Sequence, residues 1–353
     1  MSPNFSDNMN MDTIDFKKLS EQLHSELLRL NGWRKVVRTG SIAVYLFVFC
    51  WFMFVLFGGA LVSYIGLENY MQFTQYIIPV FIGFIVVNFV FTRCMANFQE
   101  RESEAMQHIM STLFPTVYFS ASSQVDSRIL RDSKLFSASF SDPALAANTY
   151  GYIQFPHGEH SLHVADIGVS YGLLNKLQYN PVLGYFVMIY RFVLRPLFAS
   201  RLDSSPHNFR GMFAWCKIDK RFKGNIIILP DHLEQKIGYL AKNIQGLKKR
   251  YSARLLQLED QEFENYFAVY ADDEVEARML LTPAMMRHMT ALRQTFGCDI
   301  MLSFSRGTFY YAAVMPSGFL CVRPSALNDG KLLEDIYNDI SLSCKVAEEL
   351  RLN

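Results

Sequence analysis

The chain has 353 residues, of which 50% are hydrophobic, and its formal net charge at pH 7 is only +1. A charge so close to zero provides no basic field for nucleic acid, so we expect no nucleic-acid partner. The 6 cysteines are scattered along the chain without a C-x-x-C pair, which excludes a disulfide framework and a thiolate zinc site.

Residues 1–40 are predicted to form a polar tail with one amphipathic helix. Leucines recur at spacings of three and four between residues 12 and 31, which is the helical period. The apolar face of this helix could pack on the protein's own domain or on a sister chain, or lie on a membrane surface. One tryptophan and two cations that favour the level of the lipid headgroups follow: Trp33, Arg34 and Lys35.

Residues 41–92 contain two long apolar runs without a charged residue, 41–65 and 71–92. A helix needs about 20 apolar residues to cross the hydrocarbon core of a bilayer, so both runs are long enough. Six Lys or Arg residues precede the first run, and none lies in the turn between the runs. The sequence therefore predicts a transmembrane hairpin with both termini in the cytoplasm.

The predicted hairpin also carries small residues that allow close helix packing. Gly58, Gly59 and Gly83 let neighbouring helices approach each other, which drives association in lipid. We therefore expect a homo-oligomer in the lipid bilayer. Neither run contains Asp, Glu, Lys, Arg or His, which argues against a transport role.

The second run is expected to continue beyond the membrane as a helical stalk over residues 93–135. Residues 93–113 contain strong helix formers and neither Gly nor Pro, and Pro115 ends the helix. A further short helix is predicted between Ser123 and Leu135.

Residues 136–353 are predicted to form a cytoplasmic α+β domain, with a mixed or antiparallel sheet and helices. Apolar patterns predict strands at 150–155, 160–170, 209–218, 225–229, 266–270, 298–305 and 308–315. Capping residues, Pro and Gly predict helices at 142–149, from 230 onward, at 273–281, at 283–296 and at 332–350. The strands follow one another in hairpins rather than alternating with helices, so a doubly wound parallel sheet is not favoured.

Residues 181–202 form an almost wholly apolar segment that is charged only at three arginines. Such a segment could form a buried core helix, a membrane-surface helix or a subunit contact. An apolar face of this size is unfavourable in water unless lipid or protein covers it. We expect a helical element that lipid or another subunit covers. The residues assigned to this contact are Phe186, Ile189, Arg191, Phe192 and Arg195.

Three histidines, His157, His160 and His163, lie three residues apart. Three imidazoles could bind zinc if they converged. In an extended segment, however, residues three apart point to opposite faces. Polar turn residues that lead into a strand are therefore the favoured interpretation, and we expect no cofactor.

A basic group, Lys220, Arg221 and Lys223, lies at a predicted hairpin turn. It could face anionic lipid headgroups, or it could be a solvated turn. The sequence contains no Walker loop, G-x-G-x-x-G, G-x-S-x-G or H-E-x-x-H motif, so no enzyme class gains support.

From residue 209 onward, turn glycines, caps and core aromatics follow in the order of a known family. The residues that carry this pattern are Phe209-Arg210-Gly211, Phe222-Lys223-Gly224, Ile228-Leu229-Pro230-Asp231, Leu258-Glu259-Asp260, Phe263, Phe267-Ala268-Val269-Tyr270, Asp273, Glu276-Ala277-Arg278 and Leu281-Thr282-Pro283. The pattern resembles the bacterial membrane protein family called domain of unknown function 3137, over about residues 145–325. The resemblance implies an inner-membrane protein that works with LemA-type membrane proteins, and it implies no activity.

These features favour a non-catalytic scaffold or subunit of a bacterial inner-membrane complex that self-associates. Two alternatives remain open from the sequence. One is a membrane-associated hydrolase or metal-dependent enzyme, with the histidine cluster as its site. The other is a sensor domain that binds lipid or another ligand at the membrane.

Overall fold

The chain divides into two compact units in a computed structural model. The structure describes residues 77–114, 117–136, 146–155, 161–170, 183–190, 209–218, 224–231, 254–316 and 318–320. It also describes scattered residues in 28–50 and 333–341, and residues 177 and 180. The sheet unit comprises residues 1–22, 106–172 and 207–353. The helical unit comprises residues 23–105 and 173–206.

The sheet unit is built on one nine-stranded sheet in which every neighbouring pair is antiparallel. The strand order is β1-β2-β3-β4-β9-β8-β5-β7-β6. The predicted α+β class is therefore confirmed, with an antiparallel sheet. The strands are β1 Tyr118–Ser120, β2 Ala146–Phe155, β3 Leu162–Ser170, β4 Phe209–Lys217, β5 Asn225–Pro230, β6 Arg254–Leu256, β7 Phe267–Ala271, β8 Ile300–Ser305 and β9 Thr308–Val314.

Six helices have both ends among the described residues, and local signals set several of these ends. Thr282 accepts a hydrogen bond from the Met285 amide at the start of one helix, and Gly297, with φ of 60°, ends it. Asp273 accepts hydrogen bonds from the Val275 and Glu276 amides at the start of the helix before it. The helices are α1 Ile77–Leu113, α2 Ser127–Asp132, α3 Leu183–Ile189, α4 Gln261–Glu264, α5 Glu274–Leu280 and α6 Pro283–Phe296.

One face of the sheet, here called the front face, carries a hydrophobic core that the segment around α2 covers. The Phe136 ring packs edge-on against Phe209 and Phe213, at centroid distances of 4.9 and 5.4 Å. The Val125 amide donates a hydrogen bond to the Thr149 hydroxyl, which fixes this segment to β2. The buried strand residues of this core are Ala165, Ile167, Val169, Phe209, Phe213, Ile227, Leu229, Tyr270, Met301, Tyr310 and Ala312.

The predicted helix at 142–149 is wrong for its second half, since β2 begins at Ala146. Residues Ala146 to Thr149 pair with β3, where Ala147 lies opposite Val169. Alanines favour a helix, but the hydrogen bonds and burial that β3 offers outweigh a preference of a few tenths of a kcal/mol per residue. The short strands β1 and β6 and the helix α4 have no counterpart among the predicted elements.

Helix α1 joins the second apolar run, from Ile77, to the predicted stalk in one continuous helix. Within the described parts of the chain, however, no helix combines the length and apolar character that crossing a membrane requires. Residues 51–76, which include Gly58, Gly59 and the predicted turn, lie outside the described residues.

Candidate functional site

Of the three predicted zinc-ligand histidines, only His163 lies among the described residues, in β3. His157 and His160 lie outside them, so the metal site stays a prediction. Among the described residues, no group of three His, Cys, Asp or Glu side chains could hold a metal ion.

His163 belongs instead to a stack of rings on the front face, here called the aromatic stack: Tyr152, His163 and Trp215. The imidazole lies nearly parallel to the indole, at a centroid distance of 4.9 Å and an angle of 11°. The Tyr152 ring lies 6.0 Å from the imidazole and 6.1 Å from the indole, so the three rings form a triangle. Antiparallel pairing explains the stack, because His163 lies directly opposite Trp215 on β4 and diagonally across from Tyr152, which is two residues from Gln154, the partner of His163 on β2.

A short hydrogen bond joins the phenol of Tyr152 to the imidazole of His163. The Tyr152 hydroxyl oxygen lies 2.6 Å from His163 Nδ1. Burial raises the pKa of Tyr152 and lowers the pKa of His163, so both groups favour their neutral forms. Between a neutral phenol and a neutral imidazole, either group can donate this hydrogen bond, depending on which ring nitrogen of His163 carries the proton.

Because the pKa of His163 is lowered, we expect the protein to lose stability as the pH falls below the ordinary histidine value of about 6.5. In this range the unfolded chain binds a proton at residue 163 that the folded chain does not bind. The loss should stop below the folded pKa, where both states are protonated. Thermal unfolding from about pH 7.5 to 5 measures the effect. His163→Phe should flatten the profile, and an unchanged slope would contradict this assignment.

The second polar feature of the sheet unit is a buried ion pair on the opposite face. Arg210 Nη2 lies 2.8 Å from Asp166 Oδ2, and the two side chains are 10% and 0% exposed. The same carboxylate oxygen accepts hydrogen bonds from the amides of Phe319 and Leu320, both at 3.2 Å. This carboxylate therefore ties β4 and the segment after β9 to the centre of β3.

Tyr150 completes the surroundings of the ion pair. It is the extra residue of a β-bulge in β2, where the register shifts between Thr149 and Gly151. The Arg210 guanidinium lies over the Tyr150 ring, 3.5 Å from its centroid. Burial raises the pKa of Tyr150, against a smaller opposing effect of Arg210, so the phenol stays neutral beside the ion pair.

The residues predicted to lie at lipid headgroups are partly described. Trp33 is 45% exposed, and the Arg101 guanidinium lies over its ring at 6.0 Å. Lys35 is exposed. Four of the predicted headgroup residues lie outside the described residues: Arg34, Lys220, Arg221 and Lys223.

The predicted contact segment contains the helix α3, in which Val187 is buried and Leu183 is exposed. Phe186 is half-buried, and the residues that lie outside the described side chains are Ile189, Arg191, Phe192 and Arg195. At Gly83, predicted to allow helix packing, an added Cβ would meet no atom within 4 Å.

A comparison with protein-family models matches residues 207–352 to the family described as "Protein of unknown function (DUF3137)". The match begins later and ends later than the predicted span of about 145–325. Arg210 and Trp215 lie inside it, while Tyr152, His163 and Asp166 lie before it. No curated protein and no solved structure matches the chain. The predicted resemblance to this family is thus confirmed by the match over residues 207–352.

Proposed function

We propose that the protein is a non-catalytic, self-associating subunit of a membrane complex, anchored by a two-helix hairpin at 41–92. The flanks of the hairpin lie on the cytoplasmic side of a bacterial inner membrane, and the sheet unit extends into the cytoplasm. LemA-type membrane proteins are the predicted partners by family resemblance.

The observation that carries this proposal is the exposure of large apolar side chains in the helical unit. In a chain that met only water, most such side chains would be buried, and a large exposed set indicates a membrane or a partner. The exposed residues of this unit are Leu28, Trp33, Val36, Leu46, Phe47, Val86, Phe89, Val90, Leu183 and Tyr190. They come from both apolar runs, from the flank before the first run and from the segment at α3. This distribution supports a single surrounding, a membrane or a partner, that covers all of these side chains.

The contact between Trp33 and Arg101 supports the hairpin arrangement. Trp33 precedes the first apolar run by eight residues, and Arg101 follows the second by nine. Two helices that run in opposite directions bring such positions together only if both flanks lie on the same side. An exposed Trp beside a cation is also typical of the headgroup level.

A disulfide tests the hairpin directly. Seven residues, about two helical turns, separate Trp33 from Gly40 along one helix and Arg101 from Cys94 along the other. Gly40 and Cys94 should therefore face each other. In a Cys50→Ser background, oxidation of Gly40→Cys in native membranes should give a disulfide with the free, exposed Cys94 within one chain. Mass spectrometry of the cleaved chain identifies the linked pair.

Thr39→Cys is the matched control, because its side chain points about 100° away around the helix. It should give little cross-link. The hairpin would be refuted by equal cross-linking at both positions, or by release of the protein from membranes at alkaline pH. A product of two chains joined at these positions would support self-association but not the proposed pairing within one chain.

A further inference from the structure

The sheet has two edge strands, β1 and β6, and only the β1 edge is without charge. In the described parts of the chain, β1 pairs with β2 alone and β6 pairs with β7 alone. Residues 113–125, which include β1, contain no Asp, Glu, Lys, Arg or His, whereas β6 begins at Arg254. Charged residues or Pro usually protect an edge strand from pairing with another chain, and β1 has neither.

Strand β1 also exposes an aromatic ring on the front face. Tyr118 lies opposite Gln154, two residues from Tyr152, and is 59% exposed. The chain turns away after Ser120, where the Ser123 amide and hydroxyl both donate hydrogen bonds to the Ser120 hydroxyl, at 3.2 and 2.9 Å. The open edge is therefore three residues long, with a large side chain at one end and a small one at the other.

We propose that the β1 edge pairs with the β1 edge of a second copy of this chain, antiparallel and centred on Phe119. An open edge offers N–H and C=O groups in alternation, and another extended strand supplies the matching groups. A two-fold axis perpendicular to the sheet makes two identical edges antiparallel, which is the direction of every described strand pair. Centring on Phe119 pairs all three residues of β1 with those of the second copy.

The side chains of β1 fit this self-pairing. Tyr118 comes to lie opposite the small Ser120 of the second copy and diagonally beside its Tyr118, so each exposed ring gains a neighbour on the front face. No charged residue of β1 is brought near another, because the strand has none. Each copy has the same open edge, so one contact covers both edges and leaves neither for further growth.

This contact rests on the proposed self-association through the hairpin. A ladder of three residues is small beside a stable interface, which buries about 1,200 Å² or more. Two copies that are already held together in a membrane meet at a high effective concentration, and a weak contact then forms within the assembly. The β1 edge is thus a second contact of the same homo-oligomer, outside the membrane hairpin.

A photocrosslinker at Tyr118 tests the pairing in native membranes. Full-length copies in which p-benzoylphenylalanine replaces Tyr118 carry one tag, and they are coexpressed with copies that carry another tag. Light should link the two kinds of copy, and mass spectrometry should place the link at residues 116–122 of the second copy. The same photocrosslinker at Leu255, which is 55% exposed on the other edge strand, is the matched control and should give few links between copies.

A lysine in the second copy tests whether the edge itself makes the contact. Tyr118→Lys in that copy alone should lower the yield of the link by about fivefold, because a lysine in an edge strand disfavours pairing. The exposure of Tyr118 lets the sheet accept this change, and thermal unfolding checks that it does. Leu255→Lys in the second copy places the same charge on the other edge strand and should leave the yield unchanged.

Co-purification of the two tags in mild detergent separates this inference from the proposed function. Co-purification without a link at residues 116–122 refutes the edge pairing and leaves self-association intact, whereas loss of both refutes both. Links that stay within one chain, or that join β1 to a different protein, identify another occupant of the edge and overturn the proposal. A link whose yield Tyr118→Lys leaves unchanged overturns it as well.

Discussion

Replacing Asp166 with alanine should destabilise the sheet unit by about 3–5 kcal/mol, the usual cost of removing one partner from a buried ion pair. Arg210 would keep its charge in a side chain that is only 10% exposed. The amides of Phe319 and Leu320 would lose their acceptor as well. Thermal unfolding of the full chain, followed by circular dichroism, measures the loss.

Two variants separate charge from hydrogen bonding. Asp166→Asn keeps an acceptor oxygen and should lose less stability than Asp166→Ala. Arg210→Met in combination with Asp166→Ala should cost less than the two single changes together, because no unpaired charge remains. Additive losses would show that the two groups act independently, contrary to the 2.8 Å contact.

Gly211→Ala should be the most damaging single methyl addition in the sheet, at about 3 kcal/mol or more. Gly211 has φ of 156°, and a Cβ there would lie 2.1 Å from the Ala313 carbonyl oxygen and 2.6 Å from the Met315 nitrogen. Both are backbone atoms, so relief requires β4 and β9 to separate. The same unfolding measurement shows the effect.

Gly297→Ala provides the matched control for this change. Its φ of 60° is also unfavourable for alanine, but an added Cβ would meet no atom within 4 Å. The expected loss of stability is therefore only the cost of placing alanine in a left-handed backbone conformation, about 1 kcal/mol. Equal losses for the two variants would mean that the close approach of β9 to Gly211 is not rigid.

Local signals in the sequence were sufficient for elements whose ends they determine. Strands were predicted at 298–305 and 308–315, and the two residues between them, Arg306 and Gly307, both adopt positive φ in the turn between β8 and β9. The predicted helix at 283–296 likewise has the bounds of α6, which lies between its caps Thr282 and Gly297. In these cases the backbone conformation is determined by residues that are close to each other in sequence. A local sequence pattern is therefore sufficient to predict it.

The order of the strands and both polar clusters depend on contacts that are distant in sequence. Asp166 and Arg210 are 44 residues apart, and Asp166 lies in an apolar strand where only its charge marks it as unusual. A lone carboxylate in a buried strand requires a partner, but the sequence does not identify which cation supplies it. His163 was grouped with its neighbours in sequence, whereas its contacts are Tyr152 and Trp215 on adjacent strands.

The place of β4 in the sheet has a consequence for synthesis on the ribosome. Its neighbour β9 begins at Thr308, about 90 residues after β4 ends at Lys217. At 5–20 residues per second, β4 would wait roughly 5–20 s for this partner. During that time a nine-residue strand with mostly buried side chains has one unpaired hydrogen-bonding edge. We therefore expect slower elongation after residue 217 to lower the yield of folded protein without changing the stability of the finished protein.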